Sequence, residues 1–238
     1  MFSDDDYDST TPYKRIGNVY LEGIIFDGNG ENIQDFPVTD ILGLCIFYGR
    51  NNIVVKNTVF KNCHCDGLFV GGIGHSVEIT NSVFKKLGLY SPIGSSSRNA
   101  MSLSRTMWDR KEEAIVGVTT PLHATISNCF FSDIADEVGR IDGFNVVALK
   151  DSSFENIGMH VLEIGHMTGQ GEFSHEIMNC VGKNIARSVY NSGADGGGDF
   201  PYKGTIKVEN CIFTEMQWTG STARVARTAT STLIEGYT

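Results

Sequence analysis

The sequence predicts an all-β fold in which short parallel strands stack into one continuous coil. Two observations predict it. An eleven-residue phrase, roughly V-x-I-x-N-[STC]-x-F-x-[ND]-I, returns seven times, starting at Val19, Ile53, Val77, Ala124, Val147, His175 and Ile206. Internal repetition of this kind decides a fold before local propensity does. Within each copy, apolar and polar positions alternate, which is the period of a strand with one buried face.

The elements follow in the order of the phrase. Its third position is always apolar: Leu21, Val55, Ile79, Ile126, Leu149, Ile177 and Val208. Polar neighbours on either side, such as Glu78 and Thr80 or Thr125 and Ser127, make this a first strand with one inward face. The fifth position reads Gly23, Asn57, Asn81, Asn128, Asp151, Asn179, Asn210. These residue types tolerate the left-handed backbone best, so the chain bends here. The eighth position reads Phe26, Phe60, Phe84, Phe131, Phe154, Gly182, Phe213, and the eleventh Asn29, Cys63, Leu87, Ile134, Ile157, Ile185, Met216. They define the inward face of a second strand. The sixth position (Ile24, Thr58, Ser82, Cys129, Ser152, Cys180, Cys211) is an inward column of mostly small residues. If positions six and eight point inward, the seventh (Ile25, Val59, Val83, Phe130, Ser153, Val181, Ile212) forms an outward apolar stripe. A stripe of that length wants cover.

One such unit cannot bury its own face. Stacked units form a continuous core, with Phe on Phe and Asn on Asn at the strand spacing of about 4.8 Å. The stretch from Asn57 to Val70 and the segment Arg98 to Leu103 resemble rungs of the right-handed parallel β-helix of the pectate-lyase-like superfamily, the tailspike and polysaccharide-lyase type. The resemblance implies a single-stranded right-handed parallel β-helix of about seven rungs with Asn and Phe ladders. It places a β-helix domain over residues 17–238 behind a flexible lead-in at 1–16. It is specific for fold and unspecific for activity, because a fold of this kind hosts many chemistries.

Bulk properties bound the partners. At 238 residues and with a continuous repeat, one domain is expected. A net charge of −9 argues against nucleic acid, whose phosphates need a basic patch. No apolar run is long enough to span a membrane. The acidic start, Met1 to Asp8, lacks the hydrophobic region of a secretion signal. The expectation is a piece of a longer extracellular or virion-associated protein. Trimeric viral spikes cover β-helix faces with neighbouring chains, so the apolar stripe suggests a homotrimer. Cys180 and Cys211 fall on neighbouring rungs at a spacing that permits a disulfide, although thiols in such a stack are more often free. Cys63 and Cys65 read as a core cysteine beside a turn, since a lone Cys-x-Cys lacks the second ligand pair of a zinc site.

A site is expected along the third strand of each rung. Phrase starts are 34, 24, 47, 23, 28 and 31 residues apart, so a turn of the coil takes about 23 residues and the rest is loop. Inserts at 105–122, 165–174 and 191–204 leave the same corner and would wall one side of the third sheet. Loops on a rigid scaffold collect binding residues, and in the resembled superfamily the adjoining groove holds a sugar chain. Aligning Leu42 to Phe47, Asp66 to Gly71, Asn99 to Ser104, Glu137 to Asp142 and His160 to Gly165 gives an outward column of Cys45, Phe69, Ser102, Arg140 and Glu163. Asp142 faces the same way. Asp66, Glu137 and His160 share the leading corner, and Arg105 and His166 the trailing one.

Arg140, Asp142, Glu163 and His160 are therefore the catalytic candidates; Asp66, Phe69, Ser102, Arg105, Trp108 and His166 are the substrate-binding candidates. Glu163 and Asp142 on a diagonal, roughly 7–8 Å apart, suit the two carboxylates of an inverting glycosidase. The same group suits a lyase, in which Arg or His removes the proton α to a uronate and a cation or Arg holds the carboxylate. A surface ion pair between Arg140 and Glu163, worth little, is the alternative reading. Trp108 either stacks on a sugar or pins its loop. The signature sets of polygalacturonases and mannuronan epimerases are missing, as is a clear calcium-binding carboxylate set of pectate lyases. No cofactor is expected, with calcium the one the resemblance leaves open. The expected function is polysaccharide cleavage by a lyase or glycoside hydrolase; the alternative is a glycan-binding viral spike or adhesin without chemistry.

Overall fold

The structure, a computed structural model, describes residues 17–32, 43–89, 98–104, 122–165, 172–191 and 204–216. The lead-in at 1–16 and most of the three inserts lie outside the described residues. Three parallel sheets run along the coil. The first contains Asn18–Glu22, Asn52–Lys56, Ser76–Thr80, His123–Ser127, Val146–Lys150, Phe173–Met178 and Gly204–Glu209. The second contains Ile25–Asp27, Val59–Cys63, Val83–Leu87, Phe130–Ile134, Ser153–Ile157, Val181–Ile185 and Ile212–Thr214. The third stacks Gly43–Tyr48, Asp66–Gly71, Met101–Ser104, Gly139–Asp142, His160–Gly165 and Ser188–Asn191. Each strand pairs with its equivalent one rung away, the arrangement of a parallel β-helix. Among the described residues there is no α-helix, and no helix long and apolar enough to cross a membrane.

The repeat sets the register. Val19, Ile53, Val77, Ala124, Val147, His175 and Ile206 lie opposite one another from rung to rung. The third-position residues Val55, Ile79, Ile126, Leu149 and Ile177 are fully buried. Phe26, Phe60, Phe84, Phe131 and Phe154 stack with ring centroids 4.8–5.4 Å apart and planes within 16°. Gly182 interrupts this column, and Phe213 leans into the vacated space, its ring 6.5 Å from that of Phe154.

The bends also follow the phrase. Asn57, Asn81, Asn128, Asp151, Asn179 and Asn210 all have φ between 50° and 54°. Asn179 donates to Asp151 at 3.0 Å and Asn210 to Asn179 at 3.3 Å, so part of the column hydrogen-bonds along its length. A second left-handed position recurs at the tenth residue: Asn62, Lys86, Asp133, Asn156, Asn184 and Glu215. There Asn156 donates to Asp133 and Asn184 to Asn156, both at 2.8 Å. The sixth-position hydroxyls and thiols serve the first bend. Thr58, Ser82, Cys129, Ser152, Cys180 and Cys211 each donate to the carbonyl two residues before. The Ser82 and Ser152 oxygens also accept the Thr58 and Cys129 N–H of the neighbouring rung. Cys180 and Cys211 are both free thiols.

Positions six and eight do point inward, so the seventh column reaches the surface. Ile25 is 65% exposed, Val181 51% and Ile212 64%.

Candidate functional site

The third sheet carries two adjoining columns of polar side chains. At its leading corner Asp66, Asn99, Glu137, His160 and Ser188 succeed one another from rung to rung, and all but Ser188 are buried. Burial obliges these groups to find partners, and they find them along the coil. The Asp66 carboxylate accepts the Asn99 N–H at 2.7 Å. The Asn99 side-chain oxygen accepts the Glu137 N–H at 3.1 Å, while its amide donates to the Ser102 hydroxyl at 3.1 Å. Asn191 donates to His160 Nε2 at 3.4 Å, which makes Nδ1 the protonated nitrogen, donating to Ser188 Oγ at 2.7 Å. Ser188 passes its own proton toward the Tyr190 carbonyl at 3.2 Å.

The second column faces outward. It runs Ile46, Phe69, Ser102, Arg140, Glu163, Asn191. Arg140 lies opposite Glu163, and Asp142 opposite Gly165, as the sequence alignment predicts. The first member is a correction: Cys45 is 1% exposed, pairs with Leu68 and belongs to the core, and Ile46 takes the place beside Phe69. The register moves by one because Gly43, not Leu42, stands opposite Asp66. A Cβ on Gly43 would meet the Phe69 Cβ at 3.2 Å, which leaves little room for a larger residue.

The columns meet at Glu137. Burial first, then the neighbouring Glu163 and Asp136 carboxylates, push its carboxyl up to about 8, against the pull of Arg140. Loss of solvent and nearby negative charge both disfavour the ionised form, so Glu137 holds its proton at neutral pH. Asp66, fully buried, is pushed up to about 7 by loss of solvent, although hydrogen bonds from Ser102 and the Asn99 backbone oppose this. Burial, helped by the Arg187 charge, pulls His160 down to about 4, so it is neutral at pH 7. Behind Glu137, Arg98 clamps Asp136 with two bonds of 2.7 and 2.9 Å, which holds the corner against the preceding rung. Gly165 gives the Asp142 carboxylate its seat, since a Cβ there would collide with Asp142 Oδ1.

Of the sequence candidates, Arg140, Asp142 and Glu163 therefore share one half-buried face, with His160 buried at its edge. Ser102 and Phe69 continue the same column, but both are buried, and the Tyr48 ring packs against Phe69 at 5.8 Å. Asp66 holds backbone rather than facing solvent. Arg105, Trp108 and His166 lie outside the described residues. Glu137 is the member that sequence reasoning undervalued. Its segment has a poor apolar pattern, and the signal that marks it is the corner column, polar on every rung from Asp66 to Ser188. Among the described residues no three His, Cys, Asp or Glu side chains gather as a metal site.

Neither a protein-family model, nor a curated protein, nor a solved structure matches this chain.

Proposed function

We propose that the chain is a polysaccharide-active β-helix protein of the pectate-lyase-like kind, working along the outer face of its third sheet. The observation that carries this reading is the Glu137–Glu163 pair: an acid that keeps its proton at neutral pH, close to a carboxyl on the half-buried face, with Arg140 and Asp142 on the strand adjacent to Glu163. A protonated acid and a separate carboxylate are the two groups that glycosidic hydrolysis needs. Glu163, fed by Glu137, delivers the proton to the leaving oxygen; Asp142 activates water. Arg140 holds an acidic group of the sugar. If the substrate is a uronate, the same Arg140 neutralises the carboxylate in a β-elimination, with His160 at the margin as base once Asn191 releases its Nε2.

The alternative is a glycan-binding spike or adhesin. The exposed stripe from Ile25 to Ile212 favours it, because assembly into a homotrimer would cover those side chains. Either role suits an extracellular or virion-associated protein.

The test is incubation of the purified chain with a panel of acidic and neutral polysaccharides, following new reducing ends and the ultraviolet absorbance of unsaturated uronates. Reducing ends alone, lost in Glu163→Gln and Asp142→Asn, support hydrolysis. Both signals, lost in Arg140→Ala, support elimination. A folded protein silent on the panel but retained by one glycan supports the binding role.

A further inference from the structure

At the corner between the second and third sheets, the Cys63 and Cys65 sulfurs lie 2.9 Å apart across His64. Two sulfurs not bonded to each other sit well outside that distance when nothing draws them together. The Cys65 N–H also points at the Cys63 sulfur, at 3.4 Å. Two residues apart on a chain that bends at His64, their Cα atoms lie within about 7 Å, inside the reach of a disulfide. Of the other free thiols, Cys129, Cys180 and Cys211 each donate to backbone carbonyls of their own bend.

We propose that Cys63 and Cys65 form a reversible disulfide, with low-molecular-weight disulfides of the glutathione type as oxidant. The Cys63 thiolate attacks the small disulfide, forming a mixed disulfide and releasing one small thiol. Cys65 then loses its proton and attacks the Cys63 sulfur, expelling the second small thiol. Two protein thiols and one small disulfide become one protein disulfide and two small thiols, with two electrons transferred. The order of attack follows from the contacts around each sulfur: the paired Cys65 thiol and the backbone N–H groups of Cys65 and His64 hold the Cys63 thiol down, while the Cys63 thiol and burial push that of Cys65 up. The thiolate fraction of the attacking sulfur governs such exchange. The bridge closes beside Asp66, the first rung of the corner column, and it does not depend on the polysaccharide reading.

The test uses the full-length native protein, equilibrated in glutathione buffers of graded poise and in dithiothreitol, then denatured in iodoacetamide and digested with trypsin. The peptide Asn62–Lys85 contains these two cysteines and no others. The expected result is a peptide two hydrogens lighter and unalkylated under oxidising poise, and doubly alkylated after dithiothreitol. Cys65→Ser is expected to trap glutathione on Cys63. Wild-type peptide alkylated on both cysteines at every poise, or bridged only when denaturant precedes the oxidant, overturns the proposal. So does bridging of either residue to another cysteine.

Discussion

The Glu137 carboxyl lies beside that of Glu163 on the neighbouring rung, although both residues are acids, with a basic Arg140 close by. Glu163 stands opposite Arg140 and Glu137 stands at the corner opposite His160, so the two acids approach on a diagonal between neighbouring rungs, and burial first of all keeps the proton on Glu137. The first prediction follows from the sign of that shift.

An acid with its folded pKa raised binds its proton more tightly folded than unfolded, so stability falls as pH rises from the unfolded value to the folded one. For Glu137 the window runs from about 4.5 to about 8. Asp66 acts in the same direction up to about 7. His160 and His175, both held down to about 4 by burial, act oppositely and are spent above 6.5. Between pH 6.5 and 8 Glu137 therefore dominates. Wild type should lose on the order of 2 kcal/mol across that window, and Glu137→Gln should lose much less. Urea denaturation at intervals of pH checks this.

The Phe column predicts a coupling. A Cβ on Gly182 would stand 2.5 Å from the Phe213 ring. Gly182→Phe alone should destabilise by about 1–3 kcal/mol through overpacking. Combined with Phe213→Ala it should cost less than the sum of the two single changes, by about 1 kcal/mol or more. Phe84→Ala, in the filled part of the column, should cost about 3–5 kcal/mol. Thermal denaturation of the set measures all three.

The bends predict a difference between substitutions at one exposed position. Asn128 has φ 52°. Asn128→Ala should cost about 1 kcal/mol for placing a Cβ residue in the left-handed region, while Asn128→Gly should lie within about 0.5 kcal/mol of wild type. Equal losses from both would show that the side chain, not the backbone, matters there.

Gly165 predicts a functional effect from outside the chemistry. Gly165→Ala pushes the Asp142 carboxylate off its seat. Under the hydrolytic reading this should lower kcat, by up to about 10²-fold for a displacement near 1 Å, with circular dichroism unchanged. An unaltered rate on a substrate that wild type cleaves would remove Asp142 from the site.

Most of the fold was legible in the sequence because the repeat is a register device. Once Asn57, Asn81 and Asn128 are aligned, the inward Phe column and the outward stripe follow from the period of two. The third strands were harder. They lie outside the phrase, and the loops before them vary in length, so the alignment puts Cys45 one residue out; in the fold Gly43, where a Cβ would crowd Phe69, stands opposite Asp66. The face holding Arg140, Asp142 and Glu163 could be read because those residues sit mid-strand, where alternation holds. Glu137 and Asp66 sit at a corner, where alternation breaks down and burial depends on the neighbouring rung. Sequence could place them together, but it could not show that Asp66 would hold backbone while Glu137 would meet Glu163.

The measurement that tests the account most directly is the protonation of Glu137 itself. Difference infrared spectroscopy of wild type against Glu137→Gln should show a protonated carboxyl band at pH 7 that disappears with a midpoint near 8. Absence of that band at pH 7, with both proteins folded, would contradict the acid on which the proposed chemistry rests.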